Sequence, residues 1–290
     1  MRCRVLICDT EFPIATAREI LPEAEAGSAA DAGPGIVALL VSPESPVSAA
    51  DIARATDLRL IATASVGTDH IAMDAAEARG IDVVNVPDYC IEEVSDHALA
   101  MVVALRRGLL AGDRSVQAGE WDWTAVGAIG LLAGTRLGVV GYGRIGRRLA
   151  ASAGALGMEV RYHDPFVPGG TELDELLAWA DAISLHSPLT EETRGMIDAR
   201  RLALMRPGSI LVNTARGAVV DRAALKAATH VQAAFDNVWE RPPRADLLGL
   251  PHLTMTPYVG WYSAGRELEP YLRAAKAVAE ALSDRGGCGR

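Results

Sequence analysis

The chain has 290 residues, 50% of them hydrophobic, 22% charged and 5% aromatic, a globular composition far from that of disordered chains and long enough for one large domain or two smaller ones. Its 28 basic and 37 acidic residues leave a net charge of −9, which, with so few aromatics, argues against a nucleic-acid or anionic-membrane surface as the main partner. The longest apolar runs, Ala98–Leu105 and Ala125–Gly134, fall well short of the ~18 residues a membrane span needs, so no membrane segment is expected.

Residues 1–9 carry two arginines and too few apolar residues for a signal-peptide core. The cysteines at 3, 8, 90 and 288 show neither CxxC spacing nor the density of a secreted scaffold. A reducing cytoplasm is the expected setting. Strands are predicted at Val5–Cys8, Ile36–Val41, Leu60–Ala64 and Val83–Asn85. Between them Ser48 reads as the N-cap of a helix over 49–55 and Gly80 as the C-cap of one over 73–79. A long apolar helix is predicted from Glu92 to about Arg107, followed by a Trp- and Gly-rich stretch to Gly134. A second series of strands follows at Leu137–Val140, Glu159–Asp164, Ala182–His186, Ile210–Asn213, Val231–Phe235 and Leu253–Met255. An amphipathic helix over 264–282 and a fraying tail at Gly286–Gly289 close the chain. Apolar strands alternating with helices predict parallel sheets covered on both faces, and two such α/β domains fit better than one continuous sheet.

Gly141-Tyr-Gly143-Arg144-Ile145-Gly146 lies between a predicted strand and a predicted helix. Glycines so placed allow a tight turn, close approach of backbone to a pyrophosphate, and close packing of helix on strand, while the helix N-terminus offers N–H donors. The next strand ends in Asp164, 23 residues past Gly141, near the ~20 expected of an acid that takes the ribose hydroxyls. No arginine follows at Pro165 or Phe166 to receive a 2′-phosphate, so NAD is the expected cofactor rather than NADP.

Ser65-Val-Gly-Thr-Asp69, the run Asn85–Ala100, the glycine motif, His186-Ser-Pro-Leu-Thr190, Met205-Arg-Pro-Gly208 and Asn213-Thr-Ala-Arg-Gly217 together resemble the D-2-hydroxyacid dehydrogenase family. Pro87-Asp-Tyr-Cys90 and Gly260-Trp-Tyr-Ser263 are most similar to its C-terminal-binding-protein branch and bacterial relatives. The resemblance implies a Rossmann cofactor domain, 93–265, inserted into a flavodoxin-like substrate domain, 1–92 plus 266–290. It also implies an active site in the cleft between them, hinge closure over substrate and a homodimer formed through the cofactor domain. Arg216 matches the catalytic arginine, whose guanidinium fork orients a 2-oxo acid. Val66 and Gly67 resemble the loop whose backbone amides receive the substrate carboxylate, and Tyr89 and Trp261 fall on segments implied to line the pocket. Cofactor contacts are implied at Gly141, Gly143, Arg144, Ile145, Gly146, Asp164, His186, Pro188, Thr193, Thr214, Ala215, Asp236 and Gly260. No metal site is expected, since no set of ligands has metal spacing.

The pattern breaks at the proton donor. The family carries His in a Thr-Pro-His motif, and this chain has Thr256-Pro257-Tyr258. The partner Glu, expected five residues past Asp236, is Arg241; Glu240 is the nearby carboxylate and substitutes only if the loop is rearranged. A neutral Tyr258 can donate to a forming alkoxide, whereas oxidation needs the phenolate, about 0.001 of the population at pH 7 for an unshifted phenol; Arg216 or Arg241 could lower that pKa. His97 and His186 read as structural, and His70 as an alternative acid. Three functions stay open: an NAD-dependent reductase of a small 2-oxo acid with Arg216 as orienter and Tyr258 as donor, a diverged NAD-binding enzyme with altered chemistry, and an NAD(H)-responsive binding protein.

Overall fold

The computed structural model describes residues 4–9 and 11–284; the tail expected to fray at Gly286–Gly289 and the cysteines at 3 and 288 lie outside the described residues. The chain forms two compact units, one running up to Tyr89 and resuming at Ser263, the other Cys90–Tyr262. Both crossings fall three residues before the boundaries expected from sequence. At the first the reason is local: Cys90 caps a helix that begins at Ile91, so a division after residue 92 would cut its first turn.

The first unit is built from β1 (Arg4–Ile7), α1 (Ile14–Ile20), β2 (Ala24–Ala26), β3 (Ile36–Val41), α2 (Ala49–Arg54), β4 (Leu60–Thr63), α3 (Met73–Ala78) and β5 (Asp82–Val84). Its parallel sheet has the order β2-β1-β3-β4-β5, the flavodoxin-like doubly wound order. Strand β3, Ile-Val-Ala-Leu-Leu-Val, is buried at every position, because a parallel strand covered on both faces has no polar side to show. The Ser48 hydroxyl accepts from Asp51 N while the Asp51 carboxylate accepts from Ser48 N at 2.9 Å, a reciprocal cap that starts α2. The sequence reading missed β2 and α1; β2 is three residues of Ala-Glu-Ala, with no β-branched or aromatic residue to signal a strand.

The second unit comprises α4 (Ile91–Arg106), α5 (Leu109–Gln117), β6 (Arg136–Val140), α6 (Arg144–Ala155), β7 (Glu159–His163), α7 (Leu173–Trp179), β8 (Ala182–Leu185), α8 (Ala199–Leu204), β9 (Ile210–Asn213), α9 (Arg222–Ala227), β10 (Gln232–Phe235) and β11 (Leu253–Met255). The sheet is parallel throughout, in the order β11-β10-β9-β8-β6-β7. Leu137, Val139, Ile210 and Val212 pack on one face with Leu149 and Ala153. On the other, Val140, Ile183, Leu185 and Phe235 pack with Leu176 and Leu177, the period-two division that alternating side chains impose. The chain winds outward from β6 to β7, then returns to β8 on the other side of β6. That reversal opens a crevice at the carboxyl ends of β6 and β8, where doubly wound sheets bind their ligands.

Helix α10 (Glu269–Asp284) belongs to the first unit, where it packs on β3 and β4 and Tyr271 stacks on Phe12 with ring centroids 5.2 Å apart. It starts five residues later than expected, since Gly265 is at φ 81° and Arg266 N closes a turn on Ser263 O.

Candidate active site

At the end of β6, Gly141 turns the chain with φ 90°. A Cβ on Gly146 would lie 2.1 Å from Gly141 O, and one on Gly141 would lie 2.7 Å from the His186 carbonyl carbon. These two glycines are therefore required by the protein's own packing. A Cβ on Gly143, by contrast, would meet nothing within 4 Å. It would project into open space beside the first turn of α6, where Arg144 is exposed and Ile145 half-buried, and that is where a pyrophosphate approaches a helix N-terminus. Asp164, one residue past β7, accepts from Tyr142 N at 2.7 Å and Phe166 N at 2.9 Å. Its carboxylate pins the glycine turn to β7, and since a carboxylate has about four acceptor positions it retains capacity for ribose hydroxyls.

The neighbouring strand ends fit a dinucleotide as well. Ser187, after β8, and Thr214, after β9, are buried, and neither hydroxyl oxygen has a hydrogen-bond partner. Two orphaned hydroxyls at the carboxyl ends of adjacent strands are what a crevice built to bind a polar ligand presents, because a buried polar group without a partner is costly. His186 shares a 2.9 Å hydrogen bond with Ser184 Oγ, and desolvation draws its pKa down to about 4, so the ring is neutral at physiological pH. The Thr193 hydroxyl donates to Pro188 O at 2.6 Å and accepts from Thr190 N at 2.8 Å. It locks the loop after β8, and Pro188 contributes its carbonyl to that lock.

A connected network joins the ends of β9 and β10 to the turn after β11. Asn213 Oδ1 accepts from Ala215 N at 3.0 Å and its Nδ2 donates to Arg216 O at 2.8 Å. Ala215 O accepts from Arg216 Nη1 at 3.0 Å and from Asn237 Nδ2 at 2.8 Å. Asn237 Oδ1 in turn accepts from Arg241 Nη2 at 3.1 Å. The guanidinium carbon of Arg241 stands 3.8 Å from the centroid of the Tyr258 ring, within cation–π range.

Tyr258 has φ 58°, alone among the described non-glycine residues in having positive φ. A left-handed conformation at such a residue costs about 1–3 kcal/mol and persists only where surrounding contacts impose it. Asp236 imposes it here. Its Oδ1 accepts from Thr256 Oγ1 at 2.6 Å and Val259 N at 2.9 Å, its Oδ2 from Gly260 N at 2.8 Å, and its backbone O from Tyr258 N at 3.0 Å. His97 adds support from α4, 3.1 Å from Thr256 Oγ1 and 3.5 Å from Asp236 Oδ1. Burial pushes the Asp236 carboxyl upward, but the bonds from His97, Thr256, Gly260 and Val259 outweigh it and hold the pKa below the ordinary value. Asp236 and Gly260, expected as cofactor contacts, thus shape the turn that carries Tyr258.

Burial also dominates at Tyr258 itself. It raises the phenol above its ordinary value of 10, although Arg216 and Arg241 pull the other way, so the lowered pKa that either arginine could have produced does not arise. Glu240 does not take over the missing carboxylate's position. It is exposed and its Oε1 faces Arg222 and Arg244, at 4.0 and 3.8 Å, because the chain after Trp239 turns Arg241 rather than Glu240 toward Tyr258. Arg241 on the Tyr258 ring is the arrangement that counting along the sequence could register only as an absent Glu. Trp261 packs edge-on to Tyr262 with centroids 6.0 Å apart.

In the first unit the loop after β4 is held by its carbonyls. Asn85 Nδ2 donates to Val66 O at 2.6 Å, and Ser65 Oγ donates to Gly67 O at 2.6 Å. Thr63 Oγ1 is 2.8 Å from Ser65 Oγ and 2.9 Å from His70 Nε2, so His70 supports this loop through a hydroxyl relay. Both loop carbonyls are thereby engaged, which leaves the amides of Val66 and Gly67 as the groups available to an anion. Tyr89 is buried, and its carbonyl accepts from Arg266 Nη2 at 3.5 Å. Among the described residues no helix is long and apolar enough to cross a membrane, and no group of three or more His, Cys, Asp or Glu is placed to hold a metal ion.

Residues 99–260 match the family model of the NAD binding domain of D-isomer specific 2-hydroxyacid dehydrogenases. The chain is similar to glycerate dehydrogenase of Methylorubrum extorquens, 40% identical over 232 residues that cover 75% of this chain and 74% of that one. It is equally similar to D-3-phosphoglycerate dehydrogenase of Mycobacterium tuberculosis, 40% identical over 259 residues, covering 84% of this chain but 48% of the relative; the chain spans about half the length of that enzyme. Among solved structures, D-lactate dehydrogenase of Aquifex aeolicus, complexed with NAD and lactic acid, matches with a TM-score of 0.86 at 26% identity, covering 97% of this chain and 95% of the other. The glycine turn, the crevice beside it and these relatives converge: the chain belongs to the D-isomer specific 2-hydroxyacid dehydrogenase family, with the NAD-binding domain in its second unit.

Proposed function

We propose that the chain is an NADH-dependent reductase of a small 2-oxo acid, working with a tyrosine where its family has a histidine. The observation that carries this reading is Tyr258 itself, held in a strained backbone conformation under the Arg241 guanidinium and beside the network that positions Arg216. Bound NADH supplies the hydride that reduces the carbonyl carbon. The remaining work falls to side chains and backbone of this chain. Arg216 binds the 2-oxo acid through carboxylate and carbonyl oxygens, fixing the carbonyl's orientation and polarising it. As the C=O π bond opens, its electron pair passes to oxygen, which takes the Tyr258 proton; the phenolate regains a proton from solvent. Reduction is the favoured direction, because a phenol whose pKa lies above 10 is in the donating form at neutral pH.

The assay is NADH oxidation over a panel of aliphatic and aromatic 2-oxo acids. Turnover that falls at least 100-fold in Arg216→Ala supports the reading; tight NADH binding with no turnover of any 2-oxo acid overturns it. The working form we infer is a homodimer joined through the second unit. Supporting this, Leu109, Val116, Trp121, Trp123, Ile129 and Leu131 are all exposed on α5 and the segment after it, Trp121 at 90% and Trp123 at 84%, and exposed large apolar side chains grouped along one segment are what an interaction surface presents. A reducing compartment suits the buried Cys8 and Cys90, neither of which is in a disulfide.

A further inference from the structure

Building on the reductase reading, we propose that Asn237 is a positioning residue for the reaction, its amide coupling the loop that carries Arg216 to the guanidinium that stands on the Tyr258 ring. Asn237 lies two residues past β10 and is buried, 3% exposed. A buried amide is costly unless its polar ends are bonded, and both are. Its Nδ2 donates to Ala215 O at 2.8 Å, and its Oδ1 accepts from Arg241 Nη2 at 3.1 Å. The partners fix the direction of the amide, because a carbonyl only accepts and a guanidinium only donates. An aspartate here has no donor for Ala215 O at neutral pH, and an aliphatic side chain makes neither bond.

Each of the two bonds leads to a group of the proposed reaction. Ala215 O also accepts from Arg216 Nη1 at 3.0 Å, so the carbonyl that Asn237 pins is the one that steadies the Arg216 guanidinium. A second buried amide grips the same loop from the end of β9: Asn213 Oδ1 accepts from Ala215 N, and its Nδ2 donates to Arg216 O. Between them the two asparagines engage the N–H and C=O of Ala215 and the C=O of Arg216. On the other side, Arg241 is exposed, and its bond to a buried partner gives the guanidinium a fixed bearing, 3.8 Å from the Tyr258 ring centroid. A cation held there stabilises the negative charge that grows on the phenol as it gives up its proton. Asp236, the residue before, gathers the 256–260 turn that carries Tyr258. Consecutive side chains past β10 thus place the donor and set the cation against it. Where a histidine–carboxylate pair would couple the donor to its partner directly, this chain reaches from Tyr258 through Arg241 and Asn237 to the Arg216 loop.

The test measures kcat and KM for reduction of a 2-oxo acid, with Tm alongside, in the wild type, Asn237→Leu, Arg241→Met and the double variant. Arg241→Met removes only the arm to Tyr258 and should lower kcat about 10- to 100-fold while KM changes by less than about 3-fold. Asn237→Leu removes both arms. It should lower kcat to a similar degree and also raise KM about tenfold, as expected when the arginine that binds substrate loses its bearing. In the double variant kcat should fall no further than in Arg241→Met, because both changes act through one guanidinium. Should Asn237→Leu fail to fold, Asn237→Asp takes its place; it keeps an acceptor for Arg241 but no donor for Ala215 O, and its KM should rise about tenfold. Wild-type kcat and KM in the Asn237 variants, a loss of Tm with no split between kcat and KM, or losses that multiply in the double variant would overturn the proposal. A wild type that turns over no 2-oxo acid sinks the reductase reading separately, and quenching of NADH fluorescence by pyruvate in the NADH-loaded proteins then decides. Pyruvate binding about tenfold weaker in Asn237→Leu but not in Arg241→Met sustains the coupling to Arg216, and equal binding in all of them sinks it.

Discussion

The pH dependence of reduction separates a tyrosine donor from a histidine donor by a wide margin. A histidine with the reference pKa of about 6.5 is protonated to about 0.3% at pH 9, so reduction dependent on it falls roughly 240-fold between pH 6 and pH 9. Burial outweighs Arg216 and Arg241 at Tyr258 and keeps its pKa above 10. The phenol is then more than about 90% protonated at pH 9, and kcat for reduction should change by less than about 10% over the same interval. The sign follows from the form required: the donor is lost as pH rises through its pKa, and a raised pKa moves that loss upward. Oxidation of the hydroxy acid needs the phenolate and should rise about tenfold per pH unit from 7 to 9. Stopped-flow single turnovers at saturating NADH isolate the chemical step from product release, and Tyr258→Phe should lower that step by about 10²- to 10⁴-fold. A tenfold loss per unit beginning near pH 7, together with a Tyr258→Phe protein of full activity, would refute the assignment and direct attention to a histidine.

Gly146→Ala places a methyl 2.1 Å from Gly141 O and should cost about 3 kcal/mol, seen as a fall in Tm of roughly 6–12 °C. Gly143→Ala meets nothing within 4 Å. It should leave Tm unchanged yet weaken NADH binding by about tenfold or more, about 1.4 kcal/mol, measured by fluorescence titration. Asp236→Asn puts an NH₂ group or a single acceptor where three donors converge, with an expected loss of about 1–3 kcal/mol at pH 7. Because the Asp236 carboxyl has a depressed folded pKa, its stabilisation is complete above the unfolded value near 4 and disappears as pH falls through the folded one. The wild type should accordingly lose more Tm than Asp236→Asn between pH 5 and pH 2. Trp121→Glu with Trp123→Glu should convert a dimer to a monomer in sedimentation velocity; an unchanged oligomeric state would remove this surface from the interface.

Much of the architecture could be read from local pattern. Strand β3 is apolar throughout, so its double-sided burial follows from composition alone. Gly141, Gly146 and Asp164 identified the cofactor turn because neighbours in sequence form it: strand end, tight turn and helix start are contiguous, and their backbone demands are written in residue type. The replacement of His by Tyr258 was equally legible, since identity at one position is a property of the chain and not of its fold.

What sequence could not supply is where side chains from separate loops meet. Three donors converging on Asp236 come from 256–260, so the strained turn exists only once β10 and β11 lie side by side. Glu240 and Arg241 are adjacent in the chain, but a half-turn of backbone sends one to Arg222 and Arg244 and sets the other on the Tyr258 ring. The direction in which the Tyr258 pKa moves was likewise decided in three dimensions, because residue type supplies only the reference value, while burial and two arginines drawn from different strand ends set the balance. Contiguous patterns determined the fold and the cofactor; packing between distant segments determined which groups gather around Tyr258 and which way its pKa is pushed.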